Sequence, residues 1–367
     1  MSSVVEKVHF PPGGAFYADL KREVDAYFER TGKTPQGGWE LHLQSAAMAA
    51  WLALSYGLLM FGSLAPWQIA LLAISLGLAV AGVGFNVMHD ANHGSYSSSP
   101  RVNRAMAYSL DLIGGSSFLW RQKHNVLHHT YTNIAGMDTD GEVGPFLRLA
   151  PSQPRRSFHR YQHVYAWLLY ALFALKWWLF DDFRELLTGR IVGHPYPRPK
   201  ARALAAALVG RAFFLGWAFV LPAVLHPTWW LVPIWLLASA TTGVVLAAVF
   251  QLAHCVGEAA HLRAEPGRDA PSDWATHQVR TTVDFARGNR LLGWYVGGLN
   301  FQVEHHLFTK VCHTRYRELS PIVERVCREH GVPFRAQPTL RSALGANWRY
   351  LRQLGRESDP STAAPLG

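Results

Sequence analysis

The chain has 367 residues, of which 49% are hydrophobic and only 16% charged, and its net charge is +10. Mean hydropathy is nevertheless only +0.02. An ordinary soluble domain carries about 25% charged residues, so the apolar residues here must be concentrated in some segments and absent from others. This balance excludes a disordered chain and a small disulfide scaffold. Three cysteines, Cys255, Cys312 and Cys327, offer no CxxC pair, which excludes a zinc ribbon and suits a reducing compartment.

In chain order, residues 15–31 read as a short amphipathic helix. No Asp, Glu, Lys or Arg occurs from Leu41 to His89, or again from Ala212 to Gly257. A membrane crossing needs roughly 20 apolar residues, so each stretch holds two, with turns at Gly62–Pro66 and Pro222–Pro227. The expected spans are 45–63, 67–88, 203–222 and 229–253. Every Lys and Arg lies in 1–44, 94–211 or 262–367, and the two hairpin turns have none. The positive-inside rule then places both termini and the long middle segment in the cytoplasm. The amino-terminal residues show no signal-peptide core. The segment Val164–Phe180 is strongly apolar but carries Lys176, with Asp181 and Asp182 following. Its tryptophans and lysine suit a helix lying in the interface, with a fifth crossing as the alternative.

The expected fold class is therefore an all-α integral membrane protein with four transmembrane helices in two hairpins and a cytoplasmic helical cap. Its parts are a segment 1–44, a hairpin 45–88, a cytoplasmic segment 89–202, a hairpin 203–253, a cytoplasmic segment 254–355 and a disordered tail 356–367. The positive charge is spread over membrane-proximal segments, and no nucleic-acid module is present. Anionic lipid headgroups are the simpler partner.

Histidines cluster at the ends of these spans. His89 and His93 stand four apart, which puts both rings on one helix face. His124, His128 and His129 repeat the spacing, and His305 and His306 follow the last span. Isolated histidines such as His9, His42, His194, His226 and His330 read as ordinary surface residues. Seven clustered histidines are more than one tetrahedral zinc takes, so the pattern implies two ions. Imidazole suits iron, copper, nickel and zinc, and a histidine-rich dinuclear centre in a membrane protein points to iron and oxygen chemistry.

The three boxes resemble those of the membrane fatty-acid desaturase superfamily, over roughly residues 10–345. His89-Asp-Ala-Asn-His93 is similar to the first box. Lys123–Asn133, followed by Gly136-Met-Asp-Thr-Asp140, is similar to the second, and Leu299–Phe308 to the third. Gln302 in place of a first histidine is the pattern of the front-end (delta-5/delta-6) branch, while Thr309 stands where that pattern has proline. The resemblance implies two iron ions held by His89, His93, His124, His128, His129, His305 and His306, with His254 as an eighth ligand. It also implies O2 as co-substrate and a fatty acyl substrate on CoA or lipid. Gln302, Asp90, Asp138, Asp140, Glu258, Glu304 and His313 are candidates to ligate or to orient ligands, with His261 and His277 weaker. Trp120, Arg121 and Lys123 are candidates to meet the acyl headgroup.

The implied reaction removes hydrogen from two adjacent methylenes and needs two electrons from outside. His9-Phe-Pro-Pro-Gly-Gly14 is only superficially like the haem motif of a fused cytochrome b5, and the residues before the first span are too few for that domain. A separate ferredoxin, or cytochrome b5 with its reductase, is the expected donor, steered by the basic face. Two other readings compete. One is a related di-iron oxygenase (hydroxylase, ketolase or decarboxylase). The other is a metal transporter, which would hold its site near the bilayer midplane.

Overall fold

A computed structural model describes residues 8–141, 143–263 and 269–357. The principal helices are α1 (Ala15–Thr31), α2 (Trp39–Phe61), α3 (Pro66–His93), α4 (117–131), α5 (Ser157–Thr188), α6 (Ala201–Leu225) and α7 (Leu231–His254). After them come α8 (Trp274–Thr281), α9 (Arg290–Tyr295), α10 (Gln302–Leu307), α11 (Tyr316–Glu329) and α12 (Leu340–Leu354). Five of these, α2, α3, α5, α6 and α7, are long and apolar enough to cross a membrane.

The first hairpin ends where Gly62 stops α2, and Pro66 opens α3 at a position that needs no N–H. The second turns after Leu225, and His226 Nε2 lies 2.7 Å from the Met60 carbonyl oxygen, tying the two hairpin turns together. All four helices therefore run between this end and the histidine-bearing end. The first box is not a loop after the span, because α3 continues through it to His93. The expected tail lies outside the described residues from 358 onward.

Two features add to the reading of four spans. Arg211 sits inside α6, buried, where its guanidinium pairs with Asp182 at 2.7 Å and donates to the carbonyls of Trp178 and Gly114. The charge is thus satisfied by α5 and not by solvent. Second, the apolar segment 164–180 belongs to a longer helix, 157–188. It packs against the middle of α7, where a side chain on Gly243 would collide with the Tyr170 carbonyl. Both ends of α5 nevertheless meet the histidine side. His159 Nε2 lies 2.9 Å from the Pro145 carbonyl oxygen at one end, and Glu185 pairs with Lys123 at 2.7 Å at the other.

The polar part of the chain caps that side. α1 lays Phe16, Leu20, Val24, Tyr27 and Phe28 against α11 and α10 in one apolar cluster. Two short parallel strand pairs fasten the cap. Ile134 pairs with Leu262, joining the exit of α4 to the segment after α7, and Asp284 with Ala336 joins the approach to α10 to the carboxy-terminal helix.

Candidate metal centre

Four elements deliver the histidines. α3 brings His89 and His93, α4 brings His124, His128 and His129, α7 ends on His254, and α10 carries His305 and His306. The local backbone explains how α4 supplies three rings to one place. Residues 121–128 form a π-helical segment, and another, Gly84–Met88, precedes the first box. Pairing i with i+5 widens the turn, so residues four and five beyond His124 flank the same face. His128 and His129 can then both look inward with His124.

All eight rings are buried, none more than 5% exposed. Their nitrogens fall into linked groups, each within 4.8 Å: His89, His93, His124 and His305 in one; His128, His254 and His306 in another; and His129, His305 and His306 between them. The ring nitrogens fit metal ions by a stricter test. The Nε2 atoms of His89, His93, His128, His254, His305 and His306 are buried with no hydrogen-bond partner. An orphaned buried polar atom is costly, and six converging ones are donors aimed at something electropositive. His124 and His129 point their Nε2 atoms at each other, 3.1 Å apart.

The opposite nitrogens are held. His128 Nδ1 lies 3.0 Å from Asp138 Oδ1, His306 Nδ1 2.8 Å from Gln278 Oε1, His305 Nδ1 3.2 Å from the Tyr316 hydroxyl, and His254 Nδ1 3.2 Å from the Thr281 carbonyl. The Gln278 amide oxygen and the Thr281 carbonyl can only accept, which favours the tautomers of His306 and His254 that leave Nε2 bare. Asp138 and the Tyr316 hydroxyl hold the other two rings in the arrangement usual behind a metal-bound imidazole. Burial pushes His124, His129, His305 and His306 well below the ordinary histidine pKa, aided by neighbouring rings, so they are neutral and able to ligate. Burial acts the same way on His128, but Asp138 and Asp140 outweigh it and raise that ring to about 9.

The other expected site residues divide. Asp90 accepts from His313 Nδ1 at 2.8 Å and lies behind His89; Cys312 shares the same carboxylate. Asp140 Oδ2 is 3.6 Å from His128 Nδ1. Glu304 is buried beside the ligands and faces Asp284 and Ser320, and burial raises its pKa. His277 Nε2 instead faces the Thr132 carbonyl, and His261 stacks on Tyr350. Gln302 is buried but turns its amide to the Leu299 carbonyl at 2.7 Å, and Glu258 lies on the surface bonded to Gln337. Neither orients a histidine.

Trp120 stacks on His124 at 4.3 Å and abuts His89 and His93, so it forms a wall of the centre. Arg121 donates to Asn92. Lys123, expected at a headgroup, is committed inward to Glu185 and Asp182, at 2.7 and 3.5 Å. Burial disfavours its charge, and these two carboxylates more than restore it. Gln278, Thr281 and Tyr316 were not foreseen, since single polar residues distant in sequence carry no spacing signal. An apolar cavity of about 530 Å³ lies between α2, α3, α6 and α7, and its inner lining residues Val80, Trp178 and Phe214 share a packed cluster with Trp120.

Comparison with known proteins accounts for this arrangement. Residues 65–338 match the fatty acid desaturase family model. The chain belongs to the fatty acid desaturase family. Two cyanobacterial relatives, each an sn-1 linoleoyl-lipid 6-desaturase, are similar nearly end to end. The one from Synechocystis sp. is 36% identical over 96% of this chain and 99% of its own, and that from Arthrospira platensis 37% identical over 99% and 98%. An acyl-lipid (8-3)-desaturase from the moss Physcomitrium patens is 37% identical over 93% of this chain and 72% of its own. The desaturase thus sits in the front-end branch, as its Gln302–His306 box implies.

Proposed function

We propose that this desaturase inserts a double bond on the carboxyl side of an existing one in a lipid-bound polyunsaturated acyl chain, with linoleoyl lipid as the first substrate to try. The convergence of eight buried histidines, six with bare Nε2 atoms, is the observation that carries it. The likeness to the two linoleoyl-lipid 6-desaturases supports the position. Two irons held by these eight rings would supply the one-electron chemistry needed to take hydrogen from unactivated methylenes. The balanced reaction consumes one O2, two electrons and two protons, and yields an alkene and two waters.

The protein's own share is positioning. Asp138, Tyr316 and Gln278 hold the Nδ1 protons of His128, His305 and His306, which keeps each ring turned. Trp120 presents an apolar face beside the first box, where a methylene must lie without polar competition. The cavity behind it is a suitable receptacle for the methyl end of the chain. From Val80 to His89 is about 13 Å along α3.

For topology, the reading is four spans with α5 in the interface. The contacts of both α5 ends with the histidine side support this, and the placement of Lys and Arg supports a cytoplasmic cap. A separate ferredoxin or cytochrome b5 would supply the electrons. The test is expression in a host without desaturases, fed defined fatty acids, with new double bonds located by mass spectrometry. A new bond between the carboxyl group and the existing unsaturation is expected. A hydroxylated product, or unchanged lipids together with bound zinc, would overturn the reading.

A further inference from the structure

The first two turns of α2 face α9 across an open cavity of about 640 Å³ that is separate from the acyl cavity. Two arginines, Arg290 and Arg317, line it. The Arg317 guanidinium lies over the Phe301 ring, 5.5 Å from its centre, which fixes it on the wall. Both arginines line the one cavity, and burial first, then the charge of Arg290, holds Arg317 below the ordinary arginine pKa. Among the described residues neither arginine has a carboxylate within 4 Å. Glu40, the carboxylate on this wall, leans instead toward Arg315 at 4.0 Å.

Two like charges held together without a counter-ion are unfavourable, and an anion between them would remove the repulsion. The surroundings say which kind of anion. Trp39, Leu43 and Leu291 are 70%, 62% and 76% exposed around the cavity, and Trp294 is also exposed. Exposed tryptophan and leucine beside arginines, at the start of an apolar helix, is the composition of a membrane–water boundary. A soluble anion would gain nothing from that collar, whereas a lipid would use it.

We propose that this cavity binds an anionic phospholipid, with its phosphate between Arg290 and Arg317 and an acyl chain along Leu43 on the outer face of α2. The site rests on the reading of α2 as a span and is distinct from the acyl substrate's path. It also reaches the metal centre. His313 lines the cavity floor with Nε2 3.1 Å from Gln44 Oε1, and its Nδ1 lies 2.8 Å from Asp90, the neighbour of His89.

The test uses the full-length desaturase in vesicles of phosphatidylcholine alone or mixed with phosphatidylglycerol. The readouts are flotation, thermal unfolding and the lipid retained through native mass spectrometry. The wild type should retain phosphatidylglycerol and unfold at higher temperature in its presence. The R290Q/R317Q variant should bind it roughly thirtyfold more weakly, with unchanged unfolding in phosphatidylcholine. The R290K/R317K variant should retain most of the effect, which guards against a folding defect. An equal phosphatidylglycerol effect in R290Q/R317Q, or no effect in the wild type, overturns the proposal. So does full replacement of the effect by inorganic phosphate, which would make the site one for free anions. Failure to float with phosphatidylcholine would instead refute the membrane reading itself.

Discussion

Replacing Asp138 by Asn changes one atom type at the back of the metal centre and leaves shape almost untouched. Asp138 is 3% exposed, and its two oxygens serve three N–H groups: His128 Nδ1 at 3.0 and 3.2 Å, the Asn133 amide at 2.8 Å and the Asp140 amide at 3.0 Å. An asparagine has one oxygen for those donors, and its NH2 must face one of them. A hydrogen bond to a charged group contributes about 1.5–3 kcal/mol. Losing it at His128 should weaken iron binding by about thirtyfold, taking 2 kcal/mol at about 1.4 per decade. That falls within the roughly 10–100-fold range for residues behind metal ligands. D140N should cost no more than about threefold, because that carboxylate is 3.6 Å away and its side chain is 35% exposed. Iron per protein would be measured after dialysis against graded chelator, beside product formation. Wild-type iron retention in D138N, or a larger loss in D140N, would refute the role given to the Asp138–His128 contact.

Lys123→Met should lower thermal stability, by about 3 kcal/mol, because Glu185 would be left buried without its cation while Asp182 keeps only Arg211; if the residue served the headgroup instead, KM would rise with stability unchanged. Stability of the metal-free protein should fall as pH drops below 6.5. There the unfolded chain protonates His124, His129, His305 and His306 while the native state resists, at up to about 1.4 kcal/mol per pH unit for each. His128 acts oppositely, its contribution fading as pH rises from 6.5 toward 9. A pH series of calorimetric scans flat between 5.5 and 6.5 would contradict this. Val80→Phe adds bulk to the inner lining of the apolar cavity and should shift substrate preference toward shorter acyl chains in competition feeding, with iron content unchanged; an unaltered chain-length profile would remove the cavity from the substrate path.

The histidines were legible because metal chemistry demands several ligands and helical spacing brings them out as pairs. The long apolar helices were legible because a bilayer tolerates so few charges, and α2, α3, α6 and α7 cover the four expected segments, with α5 as a fifth helix long and apolar enough to cross. Arg211 escaped that rule because its partner Asp182 comes from a different helix, 29 residues earlier. The same limit hid Gln278, Thr281 and Tyr316, whose importance lies in which ring nitrogen they face. Lys123 and Glu258 turn to Glu185 and to Gln337, which the sequence did not foretell for a related reason. Proximity in sequence to a histidine box says nothing about which way a side chain turns.

The widened turn at 121–128 has a consequence for variation of this chain. A π-helical turn holds one residue more than an α-helix would use, so the second box amounts to an insertion kept in place. Deleting a single residue there would let the backbone close into the better-bonded α form, and the helix itself would gain. Every ring beyond the deletion would swing by about a quarter turn or more, and the set of eight would be broken. At this segment, improvement of the helix and survival of the enzyme pull in opposite directions.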